Sequence, residues 1–485
     1  MAACIERYEP GVAAQWSNKL WDALKYEIFN SSDDSKAPNA MKVLTVVANR
    51  LSLGHTLKTI EGSPLQTYIY LITTECLTRL REEGHKSGRS VGQILARVAS
   101  GSAFSYHLVI RATLPALLSQ IDKTDITIDD KRAALGVINQ LLDFRLNVER
   151  MDKGDVRTAF TTVENDSARA DAASIAGENV GVANGGLPSY RDRLTSALTS
   201  IAREPIPGEK KYRITAIQGL SRLLQLANFL DDNDINMHIQ YFASVITEPA
   251  DDSDDVKKEA VKALEECAIN YPSKVVNSAL PILFKQLPDT VSGADRMPVY
   301  MSILHAISKI FARSSSFPSL IEVLEQKLAS VIESNAEQTY AHWILASILD
   351  AVMQREKQEG LEQQKANTNA CLQGLTGRLL ERTFELGSDG YIQLRAIQQS
   401  SGSSTPDDQF VMLVGEIVMV CIRSGEGATL FKSKSPFSLL LSDEPESSAA
   451  QKLFDLTDPS PDQVQALSAA SYILAGLPRQ VSNLF

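Results

Sequence analysis

The run DDVKKEAVKALEECAIN (254–270) sets Val256, Ala260, Ala263, Leu264 and Cys267 three or four residues apart with charges between them. That spacing predicts an amphipathic helix. Asp254 and Asp255 stand where a helix N-cap and a first-turn carboxylate belong. Pro272 follows, suited to open the next helix. The segment YPSKVVNSALPILFKQL (271–287) then lines Val275, Val276, Leu280, Leu283, Phe284 and Leu287 along one side. The predicted unit is helix, short turn, helix.

The second half of this unit occurs twice. In YHLVIRATLPALLSQI (106–121), Val109, Leu114, Pro115, Leu117 and Gln120 repeat the spacing of Val275, Leu280, Pro281, Leu283 and Gln286, 166 residues earlier (109 against 275). MPVYMSILHAISKIFARSSSFPSLIEVLEQKLASVI (297–332) again has helix, turn with proline, helix, and Pro318 lies 46 residues after Pro272. In DQVQALSAASYILAGLPRQVSNLF (462–485), Ala466, Ala469, Ile473, Pro478 and Val481 fall 206 residues after Ala260, Ala263, Cys267, Pro272 and Val275. The separations 166 and 206 are near whole multiples of a period of about 41 residues, within the range of HEAT-type helical pairs. DDKRAALGVINQLLDF (129–144) and KYRITAIQGLSRLLQL (211–226) supply further first helices, and LPSYRDRLTSALTSI (187–201) a weaker second helix.

One helical pair buries too few apolar side chains to offset the entropy of ordering its backbone. Each pair needs a neighbour on both faces, which predicts an all-α fold, an α-solenoid of HEAT/armadillo-type helical hairpins with one continuous core. The expected division is 1–150 helical repeats, 151–189 a flexible acidic, Gly/Ala-rich loop, 190–399 repeats, 400–408 a short linker, and 409–485 repeats truncated at the C-terminus. WSNKLWDALKYEIF (16–29) reads as the second half of a unit. Stacks need polar caps and neither end supplies one, so the chain is expected to be part of a longer array or the product of a truncated gene model. In 151–189, ENDSARADAASIAGENVGVANGG has few large apolar groups to bury.

Composition narrows the function. Of 485 residues, 44% are hydrophobic and only 6% aromatic, and the net charge is −11. An acidic chain is poorly suited to broad contact with nucleic acid. The apolar run FVMLVGEIVMVCI (410–422) contains Glu416 and falls short of the ~20 residues of a membrane span. No basic segment followed by an apolar run opens the chain. Cys4, Cys76, Cys267, Cys371 and Cys421 form no C-x-x-C pair and read as reduced thiols. A cluster needs about four converging thiolates, so no cofactor is expected. The acidic turns EPADDSDDVKK (248–258) and LDDNDIN (230–236) lack the glycine and terminal Glu of an EF-hand loop. The sequence has no phosphate loop, and its G-x-S-x-G run, GRSVG (88–92), follows no strand-like segment that could make it a nucleophile elbow. His305 and His342 read as histidines bonding between helices rather than as ligands. No catalytic, cofactor-binding or metal residue is assigned, and the expectation is a protein that is not an enzyme.

Three phrases in order carry a family resemblance: SVGQILARVASGSAFSYHLVIRATLPALLSQI (90–121), YRITAIQGLSRLLQLANFLDDNDINMHIQYFASVI (212–246) and DDVKKEAVKALEECAINYPSKVVNSALPILFKQL (254–287). With YEPGVAAQWSNKLWDALKYEIFN (8–30), they resemble the middle portion, in its fungal style, of the methyl-methanesulfonate-sensitivity DNA repair/transcription protein family. Those proteins are the HEAT-repeat scaffold of the cytosolic iron–sulfur assembly targeting complex. The resemblance implies a protein-binding scaffold in cytoplasm and nucleus. Its partners would be cytosolic iron–sulfur assembly targeting factors and client iron–sulfur enzymes of DNA replication, repair and transcription. Direct nucleic-acid and membrane contact are not expected. Two alternatives stay open: an importin-like HEAT solenoid transport receptor for basic cargo, and a repair factor touching DNA, for which EKKYR (209–213) is the main basic run.

Overall fold

The computed structural model describes residues 1–30, 36–56, 58–150, 156, 158–166, 186–203, 209–248, 254–289, 297–333 and 338–356. The expected linker at 400–408, the hairpins at 409–485, the run 410–422 and the helix at Pro478 lie outside these residues. Among the described residues all regular structure is helical. The α-helices are Ala2–Ile5 (α1), Pro10–Asn30 (α2), Lys36–Ser52 (α3), Pro64–Glu83 (α4), Gly88–Ala99 (α5), Ala103–Asp122 (α6) and Ile128–Arg150 (α7). Residues 158–166 form α8. Arg191–Arg203 (α9), Lys210–Gln225 (α10), Asp232–Thr247 (α11), Asp254–Asn270 (α12), Pro272–Ser278 (α13) and Leu280–Lys285 (α14) follow. Met297–Ala312 (α15), Phe317–Glu333 (α16) and Gln338–Glu356 (α17) complete the order. Short 3₁₀ turns precede α5 (Gly84–Lys86) and α9 (Leu187–Tyr190).

Local chemistry sets the boundaries. Ser63 caps α4, its Oγ accepting from Gln66 N at 3.2 Å, while Gln66 Oε1 accepts from Gly62 N at 2.6 Å. Pro64 fills the first helical position. Ser102 caps α6 in the same way, accepting from Ser105 N at 3.0 Å. These bonds satisfy N–H groups that have no partner within the helix.

The chain divides into two compact units, residues 1–238 with 252–263 and residues 239–251 with 264–485, so the boundary passes through α11 and α12. In the first unit the helices form two rows. One row packs α3 on α5, α5 on α7 and α7 on α10, and the other packs α2 on α4 and α4 on α6. Sequence neighbours such as α2 and α3, α5 and α6, and α6 and α7 join the rows as hairpins. Helices thus contact their neighbours in sequence order, as in an α-solenoid. In the second unit, α15 packs on α17 and α16 bridges both.

The repeated Leu-Pro phrase buries its shared apolar positions. Val109, Leu114 and Leu117 of α6 are buried, as are Val275, Leu280 and Leu283 of the repeated phrase. The two copies differ in backbone. Pro115 sits inside an unbroken α6, whereas the second copy breaks at Ala279, between α13 and α14. Proline removes an N–H donor and crowds the carbonyl four residues earlier, and the two copies accommodate this differently.

Polar stitches fix the stacking. Thr45 Oγ1 on α3 donates to the Arg97 carbonyl at 2.8 Å, and Asn49 Nδ2 to the Gly101 carbonyl at 2.8 Å. A Cβ on Gly101 would lie 2.6 Å from Ala48 Cβ and 2.9 Å from Asn49 N, so this close approach requires glycine. Between α7 and α10, Asn139 Nδ2 donates to the Thr215 carbonyl at 2.9 Å and Arg222 Nη2 to Asp143 at 2.9 Å. In the second unit Ser308 Oγ donates to the Ser347 carbonyl at 2.8 Å, and Arg355 Nη1 donates to the carbonyls of Ala312 and Ser314 at 3.0 Å each, closing the end of α15.

Candidate functional site

Two concavities in the first unit bring charged and aromatic side chains together. The first is a groove of about 350 Å³ between α2 and α4. Trp21, buried on the inner face of α2, donates its indole N–H to Glu75 Oε2 at 2.9 Å. Lys25 Nζ lies 2.8 Å from Asp22 and 3.3 Å from Glu75. Its ammonium is held above the ordinary value, first by the Asp22 hydrogen bond and then, against burial, by Glu75. Arg79 stacks its guanidinium 4.2 Å from the Phe29 ring centroid and pairs with Glu83 at 2.9 Å. Phe29 in turn meets Trp21 edge to face at 6.1 Å.

The outer face of α2 carries large apolar side chains. Val12, Trp16 and Tyr26 are exposed there, Trp16 to 53% and Tyr26 to 71%, and Tyr8 just ahead of the helix to 49%. At 100° per residue, positions 12, 16, 19, 23 and 26 fall within a narrow arc. The Lys19 ammonium sits over the Trp16 ring, 4.9 Å from its centroid. The segment 16–29, read from the sequence as the second half of a helical unit, is helical here, with Trp21 inward and Trp16 outward.

The second concavity, about 490 Å³, lies among α7, α8, the turn before α9 and the turn after α10. Arg145, buried on α7, forks onto Glu164 of α8, with Nε and Nη2 each 2.8 Å from a carboxylate oxygen. Its Nη1 lies 3.1 Å from Glu149. Burial works against the Arg145 charge, but the Glu164 hydrogen bonds and the two carboxylates outweigh it and raise its pKa. The rings of Tyr106, Phe144 and Phe160 close in a triangle beside it, with centroids 5.7 to 6.0 Å apart. Asn228 turns the chain in the left-handed region at φ 57°, and the neighbouring Ala227 N donates to Glu149 at 3.3 Å. The fork braces α8 against α7.

The sequence expectation of a loop over 151–189 meets α8 here. Phe160 and Val163, one turn apart, are both buried, and with Glu164 they give residues 158–166 enough contact to order. Residues 167–185 lie outside the described residues. A sequence signal for the brace did exist: Arg145 stands among Leu141, Leu142, Leu146 and Val148, and a buried cation requires an anion.

His305 Nδ1 of α15 lies 3.2 Å from Asp350 of α17, a contact between helices. The side chain of His342 is outside the described residues. Cys76 and Cys267 are buried, and burial raises both thiols, Cys267 to about 12, while Cys4 is exposed. Cys371 and Cys421 are outside the described residues. Among the described residues no group of three or more His, Cys, Asp or Glu is placed to hold a metal ion. Among the same residues no helix is long and apolar enough to cross a membrane.

No family model matches the chain, and no curated protein matches it. Among solved structures, the crystal structure of an engineered protein is matched with 13% identity, over 96% of this chain and 94% of that one, at a TM-score of 0.31. A likeness that low carries no argument about function.

Proposed function

We propose that this chain is a non-enzymatic scaffold of cytosolic iron–sulfur protein assembly, holding assembly factors and apo-enzymes of DNA replication, repair and transcription together. The observation that carries this reading is the order of the phrases at 90–121, 212–246 and 254–287, which resembles the family's helical repeats. The all-helical stack in sequence order is the architecture such a scaffold requires, and the outward aromatic residues of α2 are of the kind that anchor protein partners. Affinity purification of the tagged chain from its own cells, followed by mass spectrometry, tests it. Cluster-assembly factors and iron–sulfur enzymes of DNA metabolism are expected to co-purify. Recovery of neither class overturns the reading.

A second reading, a transport receptor of the importin kind, draws support from the net charge of −11, which suits basic cargo. Binding to a GTP-loaded small GTPase and to a nuclear-localisation peptide, in place of assembly factors, would select it.

A further inference from the structure

We infer that the outer face of α2, together with the α2–α4 groove, is a docking surface for a basic amphipathic helix. The observations behind it are independent of the iron–sulfur reading and hold for any scaffold.

The apolar part is a stripe. Val12, Trp16 and Tyr26 share one side of α2, with Tyr8 ahead of them. From residue 12 to residue 26 the helix rises about 21 Å at 1.5 Å per residue, the length of roughly four turns of a partner helix. Tyr26 also lines the groove, beside Phe29, so the stripe runs on into a concave seat. Trp and Tyr are the side chains that most often dominate binding energy at interfaces. The inner face of α2, with Ala13, Trp21 and Ile28, is already buried, so the outward aromatics contribute nothing to the core of this unit.

The flanks specify the occupant's charge. Of the cations around the stripe, Lys25 is paired by Asp22 and Glu75 and Arg79 by Glu83, while Lys19 keeps its charge over the Trp16 ring. Glu6 and Arg7, beyond Tyr8, are adjacent and of opposite charge. Exposed Glu9, Glu27 and Glu82 form no ion pair among the described residues. An apolar strip bordered by unmatched carboxylates complements a helix with apolar residues at i, i+3, i+4 and i+7 and Lys or Arg on both edges. A second copy of α2 would set these carboxylates against their own kind, and an anionic membrane would be repelled by them.

The test uses the whole chain and three fluorescein-labelled 18-residue helical peptides. One has a leucine stripe flanked by lysine, one the same stripe flanked by glutamate, and one the lysine peptide with its leucines scrambled. Anisotropy titrations are run on wild type, on Trp16→Ala/Tyr26→Ala and on Glu27→Lys/Glu82→Lys, each checked for unchanged helical circular dichroism; every substituted side chain is exposed, so folding is expected to persist. The lysine-flanked stripe is expected to bind wild type at least tenfold more tightly than either other peptide. Each double variant should lose at least tenfold, and Glu27→Lys/Glu82→Lys should come to prefer the glutamate peptide. Absence of binding, or equal binding by Trp16→Ala/Tyr26→Ala, overturns the proposal. So does concentration-dependent dimerisation that this variant abolishes, or Trp16-dependent binding to phosphatidylserine vesicles, since either identifies a different occupant.

Discussion

His238 on α11 is fully buried, and neither ring nitrogen has a hydrogen-bond partner among the described residues. Burial, with the positive charge of Arg203 second, pushes its pKa from 6.5 down to about 4. The imidazole is therefore neutral in the fold throughout the neutral range. The unfolded chain takes up its proton near pH 6.5, whereas the folded chain resists until about pH 4. Between those values the unfolded state holds the extra proton, so the stability this group confers is complete above 6.5 and is lost as pH falls toward 4. At 1.36 kcal/mol for each pH unit between the two pKa values, the loss reaches about 3 kcal/mol. Substituting His238→Leu removes the titration and also two unsatisfied polar atoms. Urea unfolding followed by circular dichroism, at intervals from pH 7.5 to 4.5, is run on both proteins. Carboxylates titrate in both, so the difference between the two isolates His238. The variant is expected to match or exceed wild type at pH 7.5, and its advantage should grow by about 2–3 kcal/mol by pH 4.5. An advantage that stays constant with pH would refute the reasoning.

Two further perturbations address the packing. Arg145→Met removes the fork on Glu164 and the contact with Glu149 and should cost about 3–5 kcal/mol. Amide exchange at residues 158–166, read by mass spectrometry, should rise first, because α8 is held to α7 by that fork. Gly101→Ala forces a methyl against Ala48 and the backbone of Asn49 and should cost about 1–3 kcal/mol. Gly136→Ala, inside α7 with open space at its Cβ, should instead gain up to about 1 kcal/mol, so thermal melts of the pair should move in opposite directions.

The sequence displays what depends on neighbours along the chain. The spacing of Val109, Leu114 and Leu117 announces the buried side of α6, and Pro272 and Pro318 announce helix starts, because helix periodicity and proline's fixed φ act within a few residues. What depends on neighbours in space was hidden. Glu164 lies 19 residues from Arg145, in a stretch dominated by small residues, and no local pattern joins them. Trp16 and Trp21 look alike in sequence, and only the placement of α3 and α4 decides which turns inward. The same Leu-Pro phrase gives a continuous helix at Pro115 and a broken one at Pro281, a choice made by packing rather than by propensity. The docking stripe on α2 was illegible for the same reason as Trp16.

The bond between Asn139 and Thr215 joins groups 76 residues apart, whereas the seam between Ser308 and Ser347 spans 39. Synthesis proceeds at about 5–20 residues per second, so on a ribosome roughly 4–15 s pass between the emergence of the two halves of the α7–α10 contact. During that interval the leucines of α7 that α10 will cover face solvent uncovered. Nascent chains arrested between residues 150 and 210 should be the species that a chaperone holds longest.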